Sequence, residues 1–175
     1  MSDVVIEAMA GRYIEAVMAI DRRCYSQPWS AATWRDELAA DNRTHLVARV
    51  DDRVVAHAGS LLIVDELHIT TVATDPDAEG RGHGTRLCLD LLEAGRRAGA
   101  VAATLEVRAA ARRTQRMYSR LGFAPAGLRP GYYDKPTDDA IIMWLHDLAG
   151  EEQRDRWGRI ARELDASSRD EGALR

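Results

Sequence analysis

Between Leu67 and Arg97 a β-branched run reaches Asp75, Pro76 and Asp77, passes three glycines at alternate positions (Gly80, Gly82, Gly84) and enters an amphipathic helix at once. No other segment narrows the possible folds as much. A strand that turns through glycines directly into a helix aims several unpaired backbone N–H groups in one direction, and the helix dipole adds partial positive charge there. Glycine also lets a ligand approach backbone that a side chain would shield. The segment therefore reads as an anion seat at a helix start, or else as a tight turn and nothing more. It is neither of two familiar phosphate loops. The P-loop requires Gly-x-x-x-x-Gly-Lys followed by Ser or Thr, and this stretch has no Lys. The dinucleotide fingerprint requires Gly-x-Gly-x-x-Gly near the start of a βαβ unit, whereas here the spacing is Gly-x-Gly-x-Gly in mid-chain.

The charge distribution sharpens this reading. A net charge of −4 argues against general, direct nucleic-acid binding. Yet residues 80–129 carry ten arginines against three acids, Asp90, Glu93 and Glu106, and the remainder of the chain is strongly acidic. A basic middle beside the turn suits an anionic cofactor, and an acidic remainder suits a basic peptide or protein; solvated helix charges are the plain alternative. The chain of 175 residues is long enough for one domain with a proper core. No apolar run approaches a membrane span, and the start MSDVVIEAMAGRYIEA lacks the pattern of a secretion signal. Cys24 and Cys88 are isolated, and the five histidines (45, 57, 68, 83, 146) show no metal-ligand spacing, so no metal is expected. A cytoplasmic protein is the expectation.

Periodicity orders the chain. A short strand over 3–8 is followed by a helix over 11–24, and Ser30 is placed to cap a second helix carrying Trp34 and Leu38. Strands over 44–50 and 53–64 are paired through Asp51-Asp52; a strand over 67–74, the helix 83–97 and a strand over 101–108 come next. A helix over 111–121 is closed by Gly122, and two strands follow, the last over 140–145. This order predicts a mixed α/β (α+β) sheet of about seven strands with helices on both faces. Residues 150–165 read as an appended, charged helix whose stripe of Trp157, Ile160, Ala161 and Leu164 docks on its own domain or on a partner, and the end SSRDEGALR reads as disordered.

The order of elements and the segments CYSQPWS (24–30), TVATDPDAEGRGHG (71–84), LEVRA (105–109), MYSRLGF (117–123), LRPGYY (128–133) and DDAIIM (138–143) together resemble the GCN5-related N-acetyltransferase (GNAT) family. The resemblance is closest to its bacterial ribosomal-protein N-terminal acetyltransferase branch. It covers a domain of residues 1–149 and leaves 150–175 outside. It implies a GNAT-like fold and acetyl transfer from acetyl-CoA to an amine, here the N-terminal α-amine of a protein, most simply a ribosomal protein. By the same resemblance the backbone of Val72, Ala73 and Thr74 holds the pantetheine arm beside a splayed strand, and N–H groups across Gly80, Arg81, Gly82, His83, Gly84 and Thr85 bind the pyrophosphate. Glu106 is then the general base, Tyr118 the general acid, and Trp29, Tyr132 and Tyr133, the last two in a loop before the final strand, line the acceptor cleft. Attack is direct, since neither cysteine is placed to act as a nucleophile.

Two positions depart from the family pattern. Glu79 stands where Gln or Arg is usual; an inward-facing acid would repel pyrophosphate, so it is expected to turn to solvent. Ala111 stands where the branch carries an Asn that contacts the cofactor, which removes one hydrogen bond worth roughly 0.5–1.5 kcal/mol; Arg112 or Arg113 can compensate. Read without the resemblance, Glu106 pairs with Arg108 or a neighbouring arginine, Tyr118 packs beside Met117 and Leu121, and the aromatics are rim or core. Two other functions fit the same scaffold: a small-amine acetyltransferase, and a CoA-binding sensor with little activity.

Overall fold

The computed structural model describes residues 4–173. Seven strands, β1 (Val4–Ala8), β2 (Arg43–Val50), β3 (Arg53–Ile63), β4 (Glu66–Thr74), β5 (Ala102–Arg108), β6 (Ala124–Tyr133) and β7 (Asp138–His146), form one sheet in the order β1-β2-β3-β4-β5-β7-β6. All neighbours are antiparallel except β4 and β5. Alternation along the strands sends side chains to two cores. Val47 and Val54 meet α1 (Ile14–Cys24) and α2 (Ala31–Ala39) through Val17, Ile20 and Trp34. Their neighbours Ala48 and Val55 face α3 (His83–Arg97) through Leu87 and Leu91. The rest of that face is filled by α3, α4 (Arg112–Leu121) and α5 (Glu151–Ala173), with Leu92, Leu121 and Trp157 packed over Leu105, Met143 and Leu145.

Helix signals in the sequence match the caps. Ser30 accepts the Thr33 N–H at 3.1 Å, and Gly122 takes the left-handed conformation at φ 111° that ends α4. Two expectations need correction. Tyr132 and Tyr133 end strand β6 and are not in a loop; the β6 register passes from Arg129↔Ala140 to Tyr133↔Asp138, so the strand bulges before resuming its ladder. α5 continues to Ala173, beyond the expected end at 165. No proline interrupts it, and the Ser167 hydroxyl donates to the Glu163 carbonyl one turn back at 3.0 Å, a bond the helix accommodates. Residues 174 and 175 of the tail expected to be disordered lie outside the described residues. The apolar stripe of α5 packs on its own domain, with Trp157 and Ile160 buried and Ala161 and Leu164 against the same core. No helix among the described residues is long and apolar enough to cross a membrane.

The consequential feature is where β4 and β5 part. Their parallel pairing covers only Glu66↔Ala102, Leu67↔Ala103 and His68↔Thr104. On the other side of β4 the register moves from Ser60↔Ile69 to Gly59↔Thr71, so Thr70 is an extra residue, a bulge that bends β4 as the pairing ends. The sheet opens into a V whose walls are residues 69–74 of β4 and 105–108 of β5. Gly59, opposite the bulge, admits the buried ring of His45: a Cβ there would stand 2.3 Å from Nδ1 and 2.5 Å from Cε1. Gly59→Ala is therefore expected to cost about 1–3 kcal/mol by overpacking, read from urea unfolding.

Candidate active site

The open edge of β4 is a set of backbone groups without a strand partner. The Asp75 N–H donates to the Val55 carbonyl at 2.8 Å, so by strand alternation Val72 and Thr74 turn their backbone groups away from β3 and into the V. Side chains from the end of α1 reach two of them. The Tyr25 hydroxyl donates to the Val72 carbonyl at 2.8 Å, and the Cys24 thiol lies 3.3 Å from the Thr74 carbonyl. Ala73, opposite His57 on β3, is buried. Tyr25 is itself held from behind. Its N–H donates to the Asp21 carbonyl, while the buried Asp21 carboxylate accepts from Trp34 Nε1 at 3.2 Å and lies 2.6 Å from His57 Nε2. Burial pushes the Tyr25 hydroxyl up to about 12, so it remains a donor at any ordinary pH.

At the end of β4, Asp75 caps the short turn over Pro76–Ala78 by accepting the Asp77 N–H at 3.0 Å, and it is gripped by Arg23 and Arg53. The chain then passes through Gly80 (φ 81°) and Gly82 (φ 79°), two left-handed positions that favour glycine, before α3 begins. Gly84 lies close to β4, where a Cβ would stand 3.5 Å from Thr74 Oγ1. His83 and Thr85 are buried at the start of α3, and Arg81 is exposed. The first N–H groups of α3 therefore face the mouth of the V as an anion seat. Glu79 does not point into it: it is half exposed and pairs with Arg113 at 3.4 Å. Ala111 lines the cleft just before α4 without a side-chain cap, and the turn there is tied instead by Gln115 Nε2, which donates to the Arg108 and Ala109 carbonyls at 2.9 Å.

The other half of the cleft carries the titratable groups. Glu106 projects from β5 and is paired with Arg129 of β6 at 3.2 Å, not with Arg108. Arg108 holds the connection after β6, donating to the Pro136 and Asp134 carbonyls and stacking over Tyr133 at 4.4 Å. Tyr118 is 6% exposed, with its ring edge-on to Phe123. Its hydroxyl lines the cleft without a hydrogen-bond partner among the described residues. Burial raises its pKa well above 10, and Cys88, Tyr25 and Tyr133 act in the same direction. Tyr132 is half exposed and lies edge-on to Tyr133, whose hydroxyl burial pushes up to about 12. Trp29 borders the same cleft and packs edge-on against Trp34.

One cleft of about 1230 Å³ thus runs from the glycine turn, between β4 and β5, to the aromatics of β6 and the α1–α2 connection. That exceeds the roughly 300–1,000 Å³ of a site for one small molecule, leaving room for two reactants. It unites every site residue expected from sequence except for the inward course of Glu79, and adds three that local pattern could not reveal. Tyr25 lay inside a quoted segment but carried no periodic signal, Arg129 arrives from a strand distant in sequence, and Gln115 looked like an ordinary helix surface residue.

Comparison with known proteins agrees with this layout. The acetyltransferase (GNAT) family profile matches residues 14–123. The ribosomal protein bS18-alanine N-acetyltransferase of Salmonella typhimurium is 35% identical over 136 residues, which is 75% of this chain and 90% of that protein. The Escherichia coli protein of the same name is 30% identical over equal shares. The crystal structure of the Escherichia coli enzyme matches with a TM-score of 0.77 at 28% identity, covering 85% of this chain and 97% of that one.

Proposed function

The chain belongs to the acetyltransferase (GNAT) family as an acetyl-CoA-dependent N-acetyltransferase, and from that premise we propose that its acceptor is the N-terminal α-amine of a ribosomal protein. The observation that carries the reading is the single cleft through the sheet, with an anion seat at one mouth, aromatics at the other, and Glu106 and Tyr118 between them. Relatives named for ribosomal protein bS18-alanine acetylation support the acceptor class.

The residues present fit the cofactor. The open backbone edge at Val72 and Thr74, with Ala73 between them, would hold an amide-bearing pantetheine arm in the manner of a missing strand. The N–H groups of Gly80, Arg81, Gly82, His83, Gly84 and Thr85, with the charge of Arg81 and Arg86 nearby, would hold the pyrophosphate, and Arg113, already turned toward Glu79, stands where the absent Asn leaves Ala111. When bound, acetyl-CoA supplies an activated acetyl thioester. An ammonium cannot attack it, so Glu106 takes the acceptor's proton, directly or through a water. An α-amine with a pKa of about 7.7–8 yields that proton far more readily than a lysine near 10.4. Tyr118 donates a hydrogen bond to the departing sulfur, and Trp29, Tyr132 and Tyr133 hold the acceptor peptide. The acidic surface outside the arginine-rich middle draws in basic N-terminal segments.

A panel of peptides beginning with Ala or Ser, lysine peptides with blocked N-termini, and polyamines tests the reading with purified protein and acetyl-CoA. Turnover is expected on the free N-termini, and turnover confined to polyamines would refute it.

A further inference from the structure

The helix after β7 does more than cover the core. Its first half is anchored: Trp157 Nε1–H donates to the Leu121 carbonyl at 2.9 Å, Ile160 is 4% exposed, and Gln153 and Arg156 pack on Gly122. From there α5 runs across α3 and α4 to the glycine turn. A Leu164 methyl carbon stands 2.4 Å from where a Cβ on Gly82 would be, so it rests directly on bare backbone. Asp165 holds Arg86 at 2.8 Å, and Glu163 holds Arg120. Leu164 and Ser167 line the same cleft as residues 80–85. The matched family region ends at residue 123, well before this helix.

We propose that α5 is part of the cofactor site, with Leu164 forming the outer wall of the anion seat and Asp165 and Glu163 holding Arg86 and Arg120 beside it. The inference rests on the turn being the pyrophosphate site of acetyl-CoA. A leucine on one flank of the turn excludes water there, which strengthens N–H···phosphate bonds. The ion pairs restrain two long side chains before the anion arrives, so less rotamer freedom is lost on binding. They do not use up the guanidinium groups: each pair engages one terminal nitrogen of a group with five N–H donors. Gly82 then has two reasons to be glycine, its left-handed backbone and the contact with Leu164.

The test is isothermal titration of the full chain with acetyl-CoA and with its 3′-phospho-ADP fragment, compared with Leu164→Ala and with a truncation after Arg162. Both variants retain Trp157 and Ile160, and Leu164 is only partly buried, so folding is preserved; an unchanged thermal midpoint in Leu164→Ala verifies it. Affinity for both ligands is expected to weaken by about fivefold or more, the order lost with roughly half of a leucine's buried surface, while KM for an acceptor peptide stays unchanged. Equal affinity overturns the proposal, and tighter binding overturns it by showing α5 to be a lid that competes with the cofactor. Failure of the parent chain to bind acetyl-CoA would instead overturn the cofactor reading on which the inference stands.

Discussion

Tyr118→Phe is expected to lower kcat by about 10²-fold or more, the range of a positioned general acid, with KM for both substrates little changed. The reasoning starts from the ring. It is buried against Phe123 and inside the core of α4, so removing one oxygen leaves packing intact and unfolding stability close to that of the parent. What is lost is a hydroxyl that lines the cleft with no partner among the described residues. Its raised pKa keeps it protonated throughout the working range, so no fall in rate at alkaline pH traces to its ionisation. Because a thiol titrates near about 8.5, complete proton transfer from such a phenol to the leaving sulfur is uphill. Tyr118 acts chiefly by donating a hydrogen bond to charge that appears only as the thioester breaks. Parent-like kcat in the variant, or a matching loss of stability, would remove Tyr118 from the chemistry.

Glu106→Gln should lower kcat/KM by about 10²-fold, and the loss should depend on pH. With the carboxylate present, an acceptor that arrives as an ammonium gives up its proton inside the cleft. With glutamine, only molecules already neutral in solution can react, and their fraction climbs until the α-amine pKa of about 7.7–8. The ratio of parent to variant is therefore largest in mild acid and narrows toward pH 8. Profiles of kcat/KM for both proteins on one Ala-starting peptide measure it; a ratio independent of pH would mean that Glu106 does not take the proton. The Arg129 pair engages Oε1 of a side chain that is one-third exposed, so substitution there adds little to stability effects.

Much of this was legible in the sequence because it is local. The glycine turn, the helix it opens over 83–97 and the Gly122 stop are set by neighbouring residues, and the structure places them at those positions. The sheet order and the two helical layers follow from alternation and connection length. What sequence could not give is set by register between distant segments. The cleft exists because parallel pairing stops at Thr104 while Thr70 bulges out of β4, and neither residue announces this. In the same way, Arg129 finds Glu106 through the β5–β7–β6 order, and Tyr25 reaches Val72 because a buried Asp21, His57 and Trp34 cluster fixes the end of α1. The stripe on α5 showed that it would dock, but only the groove over α3 and α4 decides that Leu164 lands on Gly82. Tyr132 and Tyr133 were placed in a loop because Pro130 and Gly131 read as a turn, whereas the bulged strand absorbs both.

The central claim is selectivity for an α-amine, and one peptide carrying both targets tests it: a free N-terminal Ala followed within a few residues by a lysine. After limited reaction with acetyl-CoA, fragment-ion mass spectrometry locates the acetyl group. The account expects it on the N-terminal nitrogen, with the lysine essentially unmodified and with Glu106→Gln suppressing the product. Acetylation mainly on the lysine side chain, or equally on both, would contradict it.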